Sequence, residues 1–257
     1  MDLKLTGKSV LITGGSKGIG FACAETFAAE GCKIHLASRS EANLKDAQAK
    51  LRARFNVPVD IHVADLANGE EARAMVAACA DVDILVNNAG AIPRGDVETI
   101  DEARWREVWN LKVFGYVNTT RAMLTEMKAR KRGVIVNIIG MAGDMPNYDY
   151  AAGSMGNASL MMFTRTVGSK SVDHGVRVVA INPPATRTDR MVTLMRSQAE
   201  KQFGDADRWP ELTRHLPFGR PCEPAEIADL AAFLASDRSG YTSGVVYNVD
   251  GGLAARH

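Results

Sequence analysis

The sequence predicts an α/β fold, in which one domain is built on a doubly wound, seven-stranded parallel sheet with helices on both faces. Two observations lead to this prediction. Short apolar segments alternate with helical segments along the whole chain, which is the pattern of repeated β-α-β units. Segments such as Val134-Ile135-Val136 are continuous apolar runs, as expected of strands that are covered on both faces.

The periodicity predicts each element in turn. Strands are expected at 9–13, 33–38, 59–63, 83–86, 134–139, 176–181 and 245–249, and helices at 18–30, 41–54, 69–79, 101–128, 150–173 and 224–236. Thr99 and Glu102 have the spacing of a capping box, which predicts the start of the long fourth helix. No linker, repeat or low-complexity tract divides the chain, so we expect a single domain over residues 1–257.

A glycine-rich turn joins the first strand to the first helix. Backbone N–H groups at a helix start are free and carry partial positive charge, so this turn predicts a site for the pyrophosphate of a dinucleotide. The residues expected to form it are Gly14, Ser16, Lys17, Gly18, Ile19 and Gly20. Two alternatives are a purely structural turn and the G-x-S-x-G nucleophile elbow of hydrolases, but no matching Asp and His follow in later strand-end loops.

Composition excludes several other classes. The formal net charge is +1, which gives no electrostatic reason to expect nucleic acid or membrane partners. No apolar run approaches the ~20 residues of a membrane span, and no signal segment precedes the first strand. We therefore expect a cytoplasmic protein. The four cysteines and five histidines show no metal-ligand spacing, so no metal site is predicted.

The ends of the next strands predict how the nucleotide is recognised. Arg39 follows the second strand where an acidic ribose reader would otherwise stand, and together with Lys17 it favours the 2′-phosphate of NADP(H) over NAD(H). The alternative is two solvated surface cations. The adenine and ribose are expected to lie against a further set, namely Asp65, Leu66, Asn88, Ala89 and Gly90. Asp65 has the alternative role of a carboxylate at a helix N-terminus.

One segment interrupts the alternation. Residues 186–223 have no predicted strand and carry several large apolar side chains. A long excursion beyond a strand end predicts a lid over a substrate. The alternatives are a packing flap and a contact between subunits.

Taken together, these motifs resemble the short-chain dehydrogenase/reductase family over essentially the whole chain. The resemblance rests on Thr13-Gly14, Gly18-Ile19-Gly20, Asp65, Asn87-Asn88-Ala89-Gly90, Asn110, Asn182-Pro183 and Asn248-Val249-Asp250-Gly251-Gly252. It implies a Rossmann-fold domain, a nicotinamide cofactor, a small-molecule substrate and a homodimer or homotetramer. It also implies hydride transfer between the nicotinamide and an alcohol or carbonyl carbon, and contacts of Pro183 and Thr188 with the nicotinamide side of the cofactor.

The family's catalytic residues do not all carry over. The resemblance implies a Tyr as proton donor, a Lys four residues later, a Ser after the fifth strand and an Asn on the preceding helix. No tyrosine of this chain has Lys four residues later. The register places Gly153, Asn157 and Gly140 at the Tyr, Lys and Ser positions, and leaves Asn110 as the retained residue. Asn157 can still hydrogen-bond the nicotinamide ribose.

Three accounts of the missing acid stay open. A different group serves as donor, with Tyr150, Tyr148 and Ser154 as the candidates. Alternatively, the chain binds NADP(H) without turnover, as a sensor, scaffold or oligomer partner. In the third account an activated substrate accepts hydride and water supplies the proton. We therefore expect an NADP(H)-dependent oxidoreductase with a non-standard or impaired active site.

Overall fold

A computed structural model describes residues 1–256; His257, one of the five histidines, lies outside the described residues. Seven parallel strands form one sheet in the order β3-β2-β1-β4-β5-β6-β7. Their bounds are β1 Ser9–Thr13, β2 Lys33–Ser38, β3 Val59–Val63, β4 Ile84–Asn87, β5 Gly133–Ile138, β6 Val176–Asn182 and β7 Val246–Asn248. The predicted strands are all present, each with its ends within about two residues of the expected ones.

Helices cover both faces of the sheet, which confirms the predicted fold class. They are α1 Gly18–Ala29, α2 Glu41–Arg54, α3 Gly69–Ala78, α4 Glu102–Trp109, α5 Gly115–Ala129, α6 Ala151–Ser171, α7 Asp189–Phe203 and α8 Pro224–Ala235. One apolar core joins the sheet to α1, α2 and α8, and a second joins it to α3 and α5. None of the described helices combines the length and apolar character that crossing a bilayer requires.

The long helix predicted at 101–128 is divided in the structure. Helices α4 and α5 are separated by a π-helical turn at Asn110–Phe114, in which the N–H of Gly115 donates to the carbonyl of Asn110. Such turns insert one extra residue into the helical repeat and change which side chains share a face. The capping-box prediction is also wrong: Asp101 caps α4 by accepting from the N–H of Arg104, while the hydroxyl of Thr99 bonds to Asp96.

The excursion at 186–223 contains regular structure that the periodicity did not predict. Thr188 caps α7 by accepting from the N–H of Met191, and 3₁₀ turns follow at Ala206–Thr213 and Pro217–Gly219. A β-bridge between Thr186 and Cys222 brings the two ends of the segment together. The segment is therefore a closed loop that leaves and re-enters the domain at one point.

The strand order creates a crevice at the carboxyl edge of the sheet. β1 lies beside β4, while the chain continues from β1 to β2 on one side and from β4 to β5 on the other. The loops that leave β1 and β4 therefore diverge to opposite sides. Ligands of open α/β sheets bind in this kind of crevice.

Gly168 shows how closely α6 packs on the sheet. A Cβ atom at this position would lie 2.4 Å from the backbone nitrogen of Gly244 and 2.7 Å from the carbonyl oxygen of Val178. Both neighbours are backbone atoms, which cannot rotate away as a side chain can. A larger residue would therefore separate α6 from β6 and β7.

We expect Gly168→Ala to destabilise the protein by about 1–3 kcal/mol, the usual cost of overpacking a core. A loss of 1 kcal/mol corresponds to a fall in Tm of about 2–4 °C in a protein of roughly this size. Gly156→Ala in the same helix is the matched control. A Cβ there would meet only side-chain atoms, at 3.3 Å or more, and would remove the ~1 kcal/mol helical cost of glycine. Equal Tm values for the two variants would contradict this packing account.

Candidate functional site

A cleft of about 560 Å³ lies at the carboxyl edge of the sheet. It brings together residues from the loops after β1, β4, β5 and β6, as the predicted crevice requires. The predicted site residues that line it are Ile19, Asn88, Gly90, Gly140, Tyr150, Asn157, Pro183 and Thr188. Gly14, Gly18 and Gly20 do not line it themselves, but they lie against the lining residues Asn88 and Thr188.

The glycine turn has the close approach that a pyrophosphate site needs. Gly14 adopts a φ of +64°, a left-handed conformation that favours glycine. A Cβ at Gly20 would lie 2.3 Å from the carbonyl oxygen of Gly14, so only glycine allows α1 to start against the end of β1. Lys17, the residue before α1, makes no side-chain cap. The first N–H groups of α1 are thus left for a ligand.

Asn88 joins the two strands at the crevice. Its side-chain amide donates to the carbonyl oxygens of Thr13 and Gly14, each at 3.2 Å. In return, the hydroxyl of Thr13 accepts from the backbone N–H groups of Asn88 and Ala89 at 2.9 and 3.1 Å. The four bonds fix the glycine turn relative to the end of β4. Asn88 and Ala89 therefore shape the backbone against which a nucleotide would lie.

The remaining predicted cofactor residues sit around this frame. Arg39 and Lys17 are exposed, Ser16 and Asp65 are half-buried and Leu66 is buried. Asp65 accepts from the N–H of Ala67 at 3.0 Å, whereas the cap of α3 is Asn68. The alternative role of Asp65 as the cap of that helix therefore does not apply. Thr188 contacts Gly18, because a Cβ at Gly18 would lie 3.1 Å from the Thr188 methyl.

The ring of Tyr150 occupies the space that a side chain at position 153 would fill. A Cβ at Gly153 would lie 2.0 Å from Cε1 and 2.1 Å from Cζ of Tyr150. This is possible because Tyr150 is not helical: it precedes α6 with φ −146° and ψ 40°. A backbone bridge to Gly95 fixes it there. The ring thus fills the space directly beside position 153, where the resemblance implies a Tyr, although it comes from three residues earlier.

Two arginines face this phenol across the cleft. Burial raises the pKa of Tyr150, while the positive charges of Arg190 and Arg94 act to lower it. Both guanidiniums line the cleft. Neither arginine was predicted as a site residue. Their only signal in the sequence is that each follows a strand-end motif, Asn87 to Gly90 for Arg94 and Thr188 for Arg190.

The other two candidate donors are placed less favourably. The hydroxyl of Ser154 accepts from the backbone N–H of Asn147 at 3.1 Å, and Ser154 is not among the residues that line the cleft. Tyr148 is 68% exposed and also lies outside the lining. Of the three candidates, Tyr150 is the one that lines the cleft. Within residues 1–256 its hydroxyl makes no hydrogen bond.

Gly140 and Asn157 meet at the place where the resemblance implies a Ser. Gly140 has a φ of +141°, and a Cβ there would lie 2.9 Å from Nδ2 of Asn157. Within residues 1–256, the side chain of Asn157 has no hydrogen-bond partner, although the residue is only 4% exposed. Its amide can therefore donate to a ligand in the cleft.

Asn110, the residue predicted to be retained, lies outside the cleft. It is exposed and lines a separate groove with Trp105, Trp109 and Phe114. Lys112 projects into the cleft instead. Residues two apart on a helix point about half a turn away from each other, so both cannot face the same cavity. Asn110 therefore does not line the cleft in this structure, and its catalytic role stays a prediction, whereas Lys112 is a cleft residue that the sequence did not reveal.

Lys112 is buried and fully hydrogen-bonded. Its stem lies over Gly90, where a Cβ would be 2.3 Å from the Lys112 Cδ. Its Nζ lies 3.0 Å from the Tyr116 hydroxyl, 3.0 Å from the carbonyl of Ile138 and 3.1 Å from that of Ile139. Burial lowers the pKa of Lys112 to about 7. The three acceptors match the three donors of an ammonium group, so the Lys112 side chain itself can bring a positive charge to the cleft near neutral pH.

Two of the histidines, which show no metal-ligand spacing in the sequence, come together in the structure. His35 and His62 lie on neighbouring strands, and Cys79 lies beside both. These residues are far apart in sequence, so their spacing carried no ligand signal. They are separate from the cleft.

Comparisons with known proteins bear on the cleft. Residues 8–199 match a family model described as short chain dehydrogenase. A galactitol 2-dehydrogenase (L-tagatose-forming) of Cereibacter sphaeroides is 35% identical over 251 residues, which are 97% of this chain and 96% of that protein. The structure of L-sorbose reductase from Gluconobacter frateurii complexed with NADPH and L-sorbose has a TM-score of 0.94 at 32% identity, covering 100% of both chains. An NAD⁺-bound xylitol dehydrogenase has a TM-score of 0.88 at 26% identity, covering 97% of this chain and 100% of that one.

Lys112 predicts a pH dependence of stability. An unfolded lysine titrates at about 10.4, so between pH 7 and that value the unfolded chain keeps a proton that folded Lys112 has lost. Stability should therefore rise with pH in this interval, by up to about 1.4 kcal/mol per pH unit. Lys112→Met should remove this rise, as measured by urea unfolding at pH 7 and at higher pH. Lys170→Met, whose side chain is 84% exposed, should keep it. A rise that persists in Lys112→Met would assign it to another group.

Proposed function

The chain belongs to the short-chain dehydrogenase/reductase family of oxidoreductases, and from this premise we propose that it transfers hydride between NADP(H) and the carbonyl or alcohol carbon of a small molecule, with Tyr150 as the proton donor. The observation that carries the proposal is the position of the Tyr150 ring, which fills the space beside Gly153 in the cleft. Position 153 is where the resemblance implies the donor.

The residues present fit a dinucleotide. Gly20 allows α1 to start against the end of β1, since a Cβ there would meet the Gly14 carbonyl, and the first N–H groups of α1 have no side-chain cap. We propose that Gly14 to Gly20 hold the pyrophosphate, and that Asp65, Leu66 and Asn88 to Gly90 hold the adenosine. Asn157, Pro183 and Thr188 would hold the nicotinamide side. When bound, the cofactor supplies or accepts the hydride.

Reduction of a carbonyl builds negative charge on its oxygen, which donors in the site must neutralise. Tyr150 gives the proton, and the free amide of Asn157 donates a hydrogen bond beside Gly140. The ammonium of Lys112 adds positive charge from the turn between α4 and α5. The Lys and the Asn that line the cleft thus come from the opposite elements to those that the resemblance implies, which are α6 for Lys and the preceding helix for Asn. This exchange supports a site that is non-standard but still supplies a phenol, an amide and an ammonium group.

The protonation state of Tyr150 is compatible with reduction. Burial raises the pKa of Tyr150 above its usual value of 10.0, so the phenol carries the proton that a donor needs at neutral pH. Oxidation of an alcohol needs the phenolate as base, which forms only at higher pH. Arg94 and Arg190 oppose the shift, and they also offer hydrogen-bond donors to substrate hydroxyls. The named relatives act on galactitol and L-sorbose, and we propose a ketose or similar polyhydroxy carbonyl compound as the substrate.

A preference for NADP(H) is supported by the positive charges of Lys17, which follows β1, and Arg39, which follows β2. Lys17 and Arg39 are both exposed, and neither takes part in an ion pair within residues 1–256. Two unpaired cations at the place of the ribose reader suit a 2′-phosphate. The sorbose reductase is bound to NADPH, whereas the xylitol dehydrogenase is bound to NAD⁺. Because these two structures hold different cofactors, the preference for NADP(H) proposed for this chain rests on its own Lys17 and Arg39.

The excursion at 186–223 is proposed to act as a lid. Thr186, Thr188, Arg190 and Leu216 line the cleft from this segment, and the bridge from Thr186 to Cys222 holds its base. A homodimer or homotetramer is proposed from the resemblance, and a cytoplasmic location is proposed from the composition. The second candidate function is NADP(H) binding without turnover, which is favoured by the absence of a side chain at Gly140.

Tyr150→Phe is expected to lower kcat for ketose reduction by roughly 10²–10⁴-fold, the usual contribution of a positioned acid. The affinity for NADPH should not change. The measurement is NADPH oxidation with L-sorbose and L-tagatose, beside a fluorescence titration with NADPH. Tyr148→Phe is the matched control and should behave as the wild type. Full activity in Tyr150→Phe would remove Tyr150 from the mechanism, and tight NADPH binding without turnover in the wild type would favour the second function.

Arg39→Ala is expected to weaken NADPH binding by roughly 10–100-fold, because a hydrogen bond to a charged group is worth about 1.5–3 kcal/mol. NADH, which lacks the 2′-phosphate, should bind this variant and the wild type equally. Fluorescence titrations with both cofactors measure the difference. Arg104→Ala, on the exposed surface of α4, controls for the loss of one positive charge. Equal weakening for NADPH and NADH would show that Arg39 does not read the phosphate.

A further inference from the structure

Three potential ligand side chains meet on the face of the sheet that packs against α3. His35 of β2 pairs with Asp60 of β3, and Ala37 pairs with His62. Paired residues of neighbouring strands point to the same face, and so do residues two apart along a strand. His35 and His62 therefore project to one side. Cys79, the residue that ends α3, closes over them from above the sheet.

The distances between the three ligand atoms match the edges of a tetrahedron around a zinc ion. Nδ1 of His35 lies 3.1 Å from Nε2 of His62, and Sγ of Cys79 lies 3.3 Å from Nε2 of His62 and 3.9 Å from Nδ1 of His35. With zinc–nitrogen bonds of about 2.0–2.1 Å and a zinc–sulfur bond of about 2.3 Å, tetrahedral geometry puts N and N about 3.3 Å apart and N and S about 3.6 Å apart. The observed triangle needs only small adjustments to hold the ion.

The cluster is largely shielded from solvent. His35 is 4% exposed and Cys79 is fully buried, whereas His62 is half-buried. The contact of 3.1 Å between Nδ1 of His35 and Nε2 of His62 has room for one proton, so at least one of these two nitrogens presents a lone pair to the other. An ion would use the lone pairs of both nitrogens, as metal binding requires, with the ring protons on the outer nitrogens.

We propose that His35, His62 and Cys79 form a structural zinc site. Two imidazoles and one thiolate are a zinc-binding set, and the Cys79 thiol releases its proton to solvent as the sulfur–zinc bond forms. Asp60 lies at the edge of this group, with its Oδ2 3.9 Å from Nδ1 of His35 and its side chain 48% exposed, and water would complete the four ligands. Half-buried His62 and Asp60 give the ion a path from the surface.

The site would connect the edge strand β3 to β2 and to the end of α3. His35 lies four residues before Arg39, or roughly 13 Å along an extended strand. The ion would therefore take no part in chemistry within the cleft, and the proposal does not depend on the proposed oxidoreductase function. Its effect would be on stability, because an ion that binds only the folded chain shifts the folding equilibrium.

Cobalt(II) is the probe, because a cobalt–thiolate bond gives a charge-transfer band in the near ultraviolet and a tetrahedral site gives strong visible bands. Untagged protein, stripped with a chelator, is titrated with Co²⁺ and then with Zn²⁺. We expect one Co²⁺ per chain with the thiolate band, displacement by Zn²⁺, and a higher Tm with Zn²⁺. Cys79→Ser should lose the band and the rise in Tm. Cys222→Ser, which changes a half-buried cysteine elsewhere, should keep both.

His62→Gln provides a second variant that keeps a polar side chain at the surface. Changes to residues that only support a metal ligand cost about 10–100-fold in affinity, so loss of a ligand should cost more than roughly 100-fold. Circular dichroism shows whether each variant is folded. Absence of the thiolate band in the wild type would overturn the proposal, as would a band that persists in Cys79→Ser or an unchanged affinity in His62→Gln.

Discussion

The close approach of α1 to the end of β1 is the constraint on which the cleft depends. Without side chains at Gly14 and Gly20, the helix starts directly beneath the strand, and its first N–H groups point into the crevice. Asn88 transmits this geometry to β4, because its amide bonds to the carbonyls of the glycine turn. The loops after β5 and β6 then close the cleft from the other side. The junction of β1 and α1 therefore forms one side of the cleft, and the loops after β4, β5 and β6 are arranged around it.

The cleft retains the kinds of group that carbonyl chemistry needs, but on different backbone positions. A phenol, an amide and an ammonium are all present, supplied by Tyr150, Asn157 and Lys112. Glycines at 140 and 153 make room for this arrangement, since side chains there would meet the Asn157 amide and the Tyr150 ring. Chemistry in a site depends on where the atoms of a functional group lie, and side chains from different backbone positions can bring the same group to one place. Three changed residues therefore do not by themselves describe an inactive site.

The sheet and the glycine turn between β1 and α1 were predictable because they follow from the hydrophobic period and from residues that only one backbone conformation allows. The arrangement of the side chains in the cleft was not. Whether Asn110 or Lys112 enters the cleft depends on half a turn of helix at a π turn, which periodicity does not resolve. The reach of Tyr150 depends on its non-helical backbone before α6. His35 and Cys79 are brought together only by the packing of α3 on the sheet, so their separation in sequence concealed them.

The backbone bridge between Gly95 and Tyr150 couples this tyrosine to a surface loop. The phenol is carried by the chain entering α6, and its neighbour in the bridge follows directly after Arg94. A change in the length or composition of that loop would move the Tyr150 ring and one guanidinium together, leaving the junction of β1 and α1 untouched. A single solvent-facing segment thus sets where both groups lie in the cleft.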